Sequence, residues 1–182
     1  MPLQRRRTCR FLEEACRVLK LPRVAMSTSM VLLHRFYAVH SFEHHDRFEV
    51  AVGCILLAAK TEESPKKLIS VLQECYRLKN QSKRAAAAAA AAKKSGSGSM
   101  DSVSGSAAAV SSLNLASVSD DGKTRTDKRG YLDLKCETFI KLKERILLLE
   151  RVILHTIGFE LSIDHPYKFL VEQVSGIIGM NE

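Results

Sequence analysis

Residues 47–60 read RFEVAVGCILLAAK, and this stretch decides the fold. Wound as an α-helix, it is apolar around nearly its whole circumference and has no face to turn toward water. A helix of this kind belongs in the middle of a bundle. Gly53 lies inside it and lets a neighbouring helix approach closely, which offsets the ~1 kcal/mol that glycine costs in a helix. The stretch therefore predicts an all-α domain packed around a central apolar helix.

Five further segments carry the apolar spacing of amphipathic helices, and no credible pair of strands appears. We interpret Ser27 as the N-cap of the second helix and Pro65 as a first-turn residue of the fourth. Gly158 is expected to end the fifth helix, and Asp164 or His165 to cap the sixth. The predicted helices around the central one span residues 4–19, 28–40, 65–78, 136–157 and 166–178.

Residues 83–130 differ in composition from the rest of the chain. They hold a run of eight alanines followed by Ser-, Gly-, Ala- and Asp-rich sequence, with too little bulky apolar surface to offset the entropy of folding. We interpret them as a disordered, low-complexity insertion whose alanine run forms helix transiently. With eight basic and four acidic residues, they contribute +4 to the net charge of +8. A basic folded surface for nucleic acid is therefore weakly supported.

The sequence offers few of the patterns that mark catalysis, metal binding or membrane insertion. It has no glycine-rich phosphate loop, and the histidines at 34, 40, 44 and 45 lack the supporting ligands of a zinc site. The longest apolar run, residues 51–59, is far short of the ~20 residues that span a bilayer, and the N-terminus lacks the apolar region of a secretory signal. Five scattered cysteines suggest buried thiols in a reducing compartment, with Cys54 in the core. We expect no catalytic residue, no metal and no cofactor.

Two charged residues stand in apolar surroundings. Lys60 ends the central helix, where the helix dipole favours a lysine whose stem covers apolar surface. Glu150 lies within ILLLERVIL, residues 146–154, with aliphatic side chains one turn before and after it. A buried unpaired carboxylate would cost several kcal/mol, so Glu150 either reaches water or pairs with Lys60, Lys143 or Arg151. An apolar surface with a few charges is also the composition of a protein-docking site.

Several of these segments resemble the cyclin box of transcription-type cyclins. ILLAAKTEESPKKL, residues 55–68, resembles the third and fourth helices of that domain, and ERVILHTIGFEL, residues 150–161, resembles the end of its fifth. LKLPRVAMSTSMVLLHRFYAVHSF is similar to cyclin L, while HRFYAVHSF and IDHPYKFLVEQV are similar to cyclins K and T. The resemblance covers about residues 4–78 and 131–174, in order.

The resemblance implies an architecture and a set of contact residues. The expected architecture is a five-helix cyclin box over residues 4–160, interrupted by the insertion at about 83–130, with a linker and the first helix of a truncated second repeat over 161–182. In the family, a lysine and a glutamate at the positions of Lys60 and Glu150 together engage a cyclin-dependent kinase beside its C-helix. The residues at kinase-contacting positions are Lys60, Glu63, Glu150, Leu154, Phe159 and Leu161.

The implied function is that of a regulatory subunit and not of an enzyme. It binds and activates a cyclin-dependent kinase as a heterodimer in the nucleus, in RNA polymerase II transcription or RNA processing, without membrane or direct nucleic-acid binding. Two alternatives stay open. Transcription factors of the TFIIB type reuse the cyclin fold and bind nucleic acid, and a scaffold would use the box to bind a partner other than a kinase.

Overall fold

The computed structural model describes residues 2–94 and 130–178, which form six α-helices. No pair of strands occurs among these residues, so the all-α prediction is confirmed for them. Helices α1 to α5 make up the bundle, and α6 follows a short irregular segment. The helices are α1 (Pro2–Val18), α2 (Arg23–Val39), α3 (Arg47–Thr61), α4 (Leu68–Lys94), α5 (Glu137–Thr156) and α6 (Tyr167–Ile178).

Helix α3 lies at the centre of the bundle, as its apolar sequence predicts. Every residue from Phe48 to Ala59 is buried, and the helix contacts α1, α2, α4 and α5. Its first turn is capped by Asp46, whose carboxylate accepts hydrogen bonds from the amides of Phe48 and Glu49 at 2.9 and 3.1 Å. Each surrounding helix buries its apolar stripe against α3, so α3 fixes where the others lie.

Helices α3 and α5 approach each other closely at Gly53. A Cβ atom added at Gly53 would lie 2.9 Å from Ile153 Cδ1 and 3.9 Å from the backbone nitrogen of Glu150. The predicted role of this glycine is therefore confirmed. The same close approach places Glu150 beside the central helix, which is the first step in building the site described below.

The cysteines are free thiols, and four of the five are buried as predicted; Cys9 is half-buried. Burial raises the pKa of Cys16 to about 11, and it raises the pKa of Cys54 and of Cys75 further. These side chains therefore stay protonated near neutral pH. They act as small apolar residues of the core.

Three predicted helix starts are wrong, those of α2, α4 and α6. Helix α2 begins at Arg23, because the amide of Met26 already donates to the carbonyl of Pro22 at 3.1 Å, so Ser27 is a helical residue and not the N-cap. Pro65 precedes α4, which begins at Leu68. Residues 64–67 are not helical, and Pro65 contributes to this because a residue before proline is disfavoured in the helical region.

Helix α4 continues through the alanine run to Lys94. The prediction of a disordered insertion from about residue 83 is therefore wrong for residues 83–94. Alanine has the highest intrinsic helix propensity, and a preformed helix needs no new nucleus to extend. The backbone of residues 83–94 is accordingly helical. The remainder of the predicted insertion, up to residue 129, lies outside the described residues.

Helix α6 exposes most of its apolar side chains. Its first intrahelical hydrogen bond runs from the amide of Leu170 to the carbonyl of Pro166 at 2.9 Å, so Pro166 is the N-cap, and the prediction of Asp164 or His165 at that position is wrong. The assignment of residues 161–182 to the start of a second repeat remains a prediction. No helix of the described part of the chain is long and apolar enough to cross a membrane. The exposed apolar residues of α6 are Tyr167, Phe169, Leu170, Val171, Val174 and Ile177.

Candidate functional site

Lys60 and Glu150 form an ion pair between α3 and α5. Lys60 Nζ donates a hydrogen bond to Glu150 Oε1 at 2.5 Å. The side chain of Glu150 is only 10% exposed, whereas that of Lys60 is 57% exposed. Of the alternatives that the sequence leaves for Glu150, pairing with Lys60 is therefore the one the structure shows. A nearly buried carboxylate here is stabilised by a lysine that stands at the surface.

Local structure explains why these two side chains meet. Lys60 lies in the last turn of α3, where a cation is favoured by the helix dipole. Glu150 lies on the face of α5 that touches α3 at Gly53. The close approach of the helices at Gly53 brings Glu150 within reach of the Lys60 side chain.

The ends of α3 and α5 have the same cap geometry, in which an amide reaches back over five residues. In α3 the amide of Ser64 donates to the carbonyl of Ala59, and in α5 that of Phe159 donates to Leu154, both at 2.9 Å. This cap requires a left-handed residue. Glu63 supplies it in α3 with φ 49°, and Gly158 supplies it in α5 with φ 63°, followed by Phe159 with φ 60°.

Both Glu63 and Phe159 therefore hold a conformation that is costly for residues other than glycine. Phe159 is also 59% exposed, and its ring meets that of His155 edge-on with centroids 5.1 Å apart. An exposed aromatic side chain in a strained backbone conformation is unusual for a residue with a purely structural role. The cap of α5 aims this ring outward beside the end of the helix.

The remaining predicted contact residues lie near these caps. Leu154 is one helical turn after Glu150 and so shares its face of α5. Leu154 and Leu161 are both partly buried and pack against the core. Glu63 is joined to Lys60 by a backbone hydrogen bond of 3.3 Å. The six residues thus lie at the C-terminal end of α3, along the last turns of α5, and in the segment that follows it.

A second ion pair across the same helices was not predicted. Arg145 of α5 donates to Glu49 of α3 through both Nη2 and Nε, the latter at 3.1 Å. Glu49 is nearly buried, and the Arg145 side chain is 61% exposed. A signal for it exists in the sequence: Glu49 and Lys60 are eleven residues, about three turns, apart on one face of α3. Two charged residues on one face of an otherwise apolar helix favour two oppositely charged residues on the same neighbouring helix.

His34, His40 and His45 have structural contacts. His40 Nε2 lies 2.9 Å from Thr156 Oγ1, and the ring of His40 packs edge-on against that of His45. Within residues 2–94 and 130–178, no three His, Cys, Asp or Glu side chains converge as metal ligands would. The pKa of Cys54 is raised by burial, which is the opposite of what activates a thiol nucleophile.

Comparison with known proteins agrees with the fold. Residues 2–86 match the family described as the N-terminal domain of cyclins. Cyclin-T1-3 of Oryza sativa subsp. japonica is 31% identical over 93% of this chain and 26% of its own length. Cyclin-L1 of Xenopus laevis is 28% identical over 90% of the chain and 24% of its own length. Cyclin-K of Homo sapiens is 25% identical over 96% of the chain and 21% of its own length.

The chain therefore spans about a quarter of the length of each of these relatives. The alignments nevertheless take in nearly all of the chain, including the part beyond the matched domain. The matched domain contains α1 to α3 and most of α4, and the alignments extend the similarity to α5 and its cap. The central apolar helix and the helices that surround it are consistent with the fold of a cyclin box, and these comparisons support a cyclin box of the type found in cyclins T, K and L.

Proposed function

We propose that this protein is a regulatory subunit that binds a cyclin-dependent protein kinase and activates it. The expected setting is the nucleus, in RNA polymerase II transcription or RNA processing, because the relatives are cyclins of the T, K and L types. The protein contributes no catalytic group in this proposal. The observation that carries it is the Lys60–Glu150 pair, in which an exposed lysine is joined to the nearly buried carboxylate of α5, a helix that is followed by the exposed, left-handed Phe159.

The pair is suited to bind another protein as well as to stabilise its own fold. An ammonium group has three donors, of which Glu150 uses one, and a carboxylate has acceptor sites that one lysine does not fill. A partner can therefore donate to the carboxylate and accept from the lysine at the same point. Because the two groups hold each other, little side-chain entropy is lost when the partner arrives.

The apolar residues around the pair supply the remaining contact area. Phe159 is exposed, and Leu154 and Leu161 are partly buried beside it. An aromatic anchor with aliphatic neighbours and a few oriented charges is the usual composition of the centre of a protein interface. We assign Lys60, Glu63, Glu150, Leu154, Phe159 and Leu161 to this surface.

Activation follows from a shift in the conformations of the kinase. An active kinase pairs the lysine of its third strand with the glutamate of its C-helix and holds its activation loop in place. A subunit that binds this arrangement more tightly than the inactive one multiplies the ratio of active to inactive kinase by the ratio of its two affinities. The Lys60–Glu150 pair would contact the kinase beside the C-helix and so favour the inward position of that helix.

Reconstitution tests this function directly. The full chain is mixed with a panel of purified cyclin-dependent kinase catalytic subunits, and phosphorylation of a peptide from the RNA polymerase II tail is measured. We expect at least one kinase to bind the chain and to gain activity in its presence. Binding without activation would favour a scaffold, and failure to bind any kinase in the panel would contradict the proposal.

The nucleic-acid alternative predicts a different result. A TFIIB-like factor would bind DNA with an affinity that falls steeply with salt, and deletion of residues 83–130 would leave that binding intact. We expect any DNA binding to be weak and to fall when these residues are removed, since they carry half of the excess positive charge. Fluorescence anisotropy at two salt concentrations separates the two functions.

A further inference from the structure

A buried hydroxyl group links three parts of the chain. Thr28 of α2 is fully buried. Its Oγ1 lies 2.6 Å from Glu62 Oε1 and 2.7 Å from His165 Nε2. A carboxylate only accepts, so the single hydroxyl hydrogen of Thr28 is donated to Glu62. His165 must then carry a hydrogen on Nε2 and donate it to Thr28, which gives the chain of hydrogen bonds a fixed direction.

Further contacts attach the same region to α2. Ser27 Oγ lies 2.5 Å from the hydroxyl of Tyr167, and the rings of Tyr167 and His165 stack with centroids 5.8 Å apart. Arg35 donates to the carbonyl of Glu160 at 3.2 Å. Because α6 exposes most of its apolar side chains, these polar contacts define how the chain leaves α5 and enters α6.

The network lies between the two groups of residues assigned to the kinase surface. Glu62 is the C-cap of α3 and stands between Lys60 and Glu63 in the chain. His165 lies near the end of the segment 158–166, which follows α5 and contains Phe159 and Leu161. Thr28 binds both ends at once, so the hydroxyl ties the cap of α3 to the segment after α5.

We propose that Thr28, Glu62 and His165 are positioning residues that hold the segment 158–166, and with it Phe159 and Leu161, in register with Lys60 for the kinase. This role rests on the proposed function, because Phe159 and Leu161 are assigned there to the kinase surface. The apolar packing of Leu161 against the core keeps the segment near the bundle when the hydroxyl is removed. The network therefore adjusts the position of the segment and is not its only attachment.

Matched substitutions of Thr28 separate positioning from folding. Thr28→Val keeps the shape of the side chain and removes the hydroxyl, whereas Thr28→Ser keeps the hydroxyl and removes a methyl group. Deuterium exchange of the amides in residues 158–166 needs no kinase. We expect faster exchange in Thr28→Val and nearly wild-type exchange in Thr28→Ser. His165→Ala and His165→Gln provide a second matched pair, since the glutamine amide can replace the Nε2 donor, and His165 is less buried than Thr28.

Kinase affinity supplies the functional readout. We expect Thr28→Val to bind the kinase about fivefold to tenfold more weakly, with Thr28→Ser close to wild type. In a double-mutant cycle, Thr28→Val and Phe159→Ala should be non-additive by at least about threefold, because both act through the position of the same ring. Phe159 is exposed, so its truncation should leave the free protein folded.

The outcomes distinguish this inference from the function on which it rests. Wild-type affinity in Thr28→Val and in His165→Ala, or strict additivity with Phe159→Ala, would overturn the positioning role while leaving kinase binding established. Unchanged amide exchange in both variants would overturn it as well. If the wild-type chain binds no kinase, the proposed function fails and the positioning role fails with it, whatever the exchange data show.

Discussion

The substitution Glu63→Gly should make the protein more stable and a poorer kinase subunit. Glu63 fills the left-handed position of the α3 cap with φ 49°. This conformation costs a residue with a Cβ atom about 1–2 kcal/mol. Glycine removes that cost but adds conformational freedom to the unfolded chain, which offsets about 0.5–1 kcal/mol. The net gain in the free energy of unfolding is therefore between zero and about 1.5 kcal/mol, with a central value of about 0.75, which urea denaturation can measure.

The chain supplies its own control for this prediction. Lys20 fills the equivalent position in the cap of α1, with φ 52°, and the amide of Leu21 donates to Cys16 as that of Ser64 does to Ala59. Lys20→Gly should give a similar gain in stability. We expect it to leave kinase affinity unchanged, because Lys20 is outside the proposed surface.

Kinase affinity should separate the two glycine variants. Loss of an exposed interfacial charge typically weakens binding about twofold to fivefold, and we expect an effect of this size for Glu63→Gly, measured by surface plasmon resonance. Equal affinities for the two variants would show that Glu63 makes no kinase contact. A loss of stability in either variant would refute the argument from backbone conformation.

Three further predictions concern the α3–α5 contact and the core. Lys60→Met leaves a nearly buried carboxylate unpaired and should lower the free energy of unfolding by about 1–3 kcal/mol. Glu150→Gln should lower it by less than about 1 kcal/mol, because the freed lysine returns to water. Similar losses for the two variants in urea denaturation would contradict this asymmetry. Gly53→Ala should stabilise the protein less than alanine does at an open helix position, because the end of the fully buried Ile153 side chain, 2.9 Å from the added Cβ, must shift and this offsets the helix-propensity gain of about 1 kcal/mol. Gly176→Ala, which meets no atom within 4 Å, should not destabilise it, and the thermal midpoints of the two variants test this. Burial raises the pKa of the Cys16 thiol from 9.0 to about 11, so the thiol of the unfolded chain loses its proton at lower pH than that of the folded protein. The free energy of unfolding should therefore decline between pH 9 and 11, and it should decline less steeply with pH in Cys16→Ala.

The central helix and its neighbours could be predicted because their signals are local. The apolar circumference of residues 47–60 indicated burial, and Gly53 inside it indicated a close helix contact, both of which the structure shows. The residues that cap the helices were harder to predict. Ser27 has the side chain of an N-cap, yet it lies inside α2 and contacts Tyr167 instead. A preference for one position in a helix does not outweigh where the chain must turn to meet its neighbours.

The site was predictable to the extent that it depends on residue type. A carboxylate amid aliphatic residues had to be paired or exposed, and the resemblance to cyclins pointed to Lys60 as well. For the pairs Glu49–Arg145 and Thr28–His165, neither residue type nor the resemblance identified both partners. They join residues 96 and 137 positions apart in the chain, and contacts of that kind depend on the packing of whole helices.

The affinity of the kinase for the double variant Lys60→Ala/Glu150→Ala tests the central claim most directly. Removing both charges leaves neither one unpaired, so the variant should keep its helicity by circular dichroism. The control is Glu49→Gln/Arg145→Gln, which neutralises the other α3–α5 ion pair, outside the proposed surface. We predict that the first variant loses kinase binding by at least about a hundredfold and that the control retains wild-type affinity. A folded Lys60→Ala/Glu150→Ala variant that binds the kinase as tightly as the wild type would contradict the account.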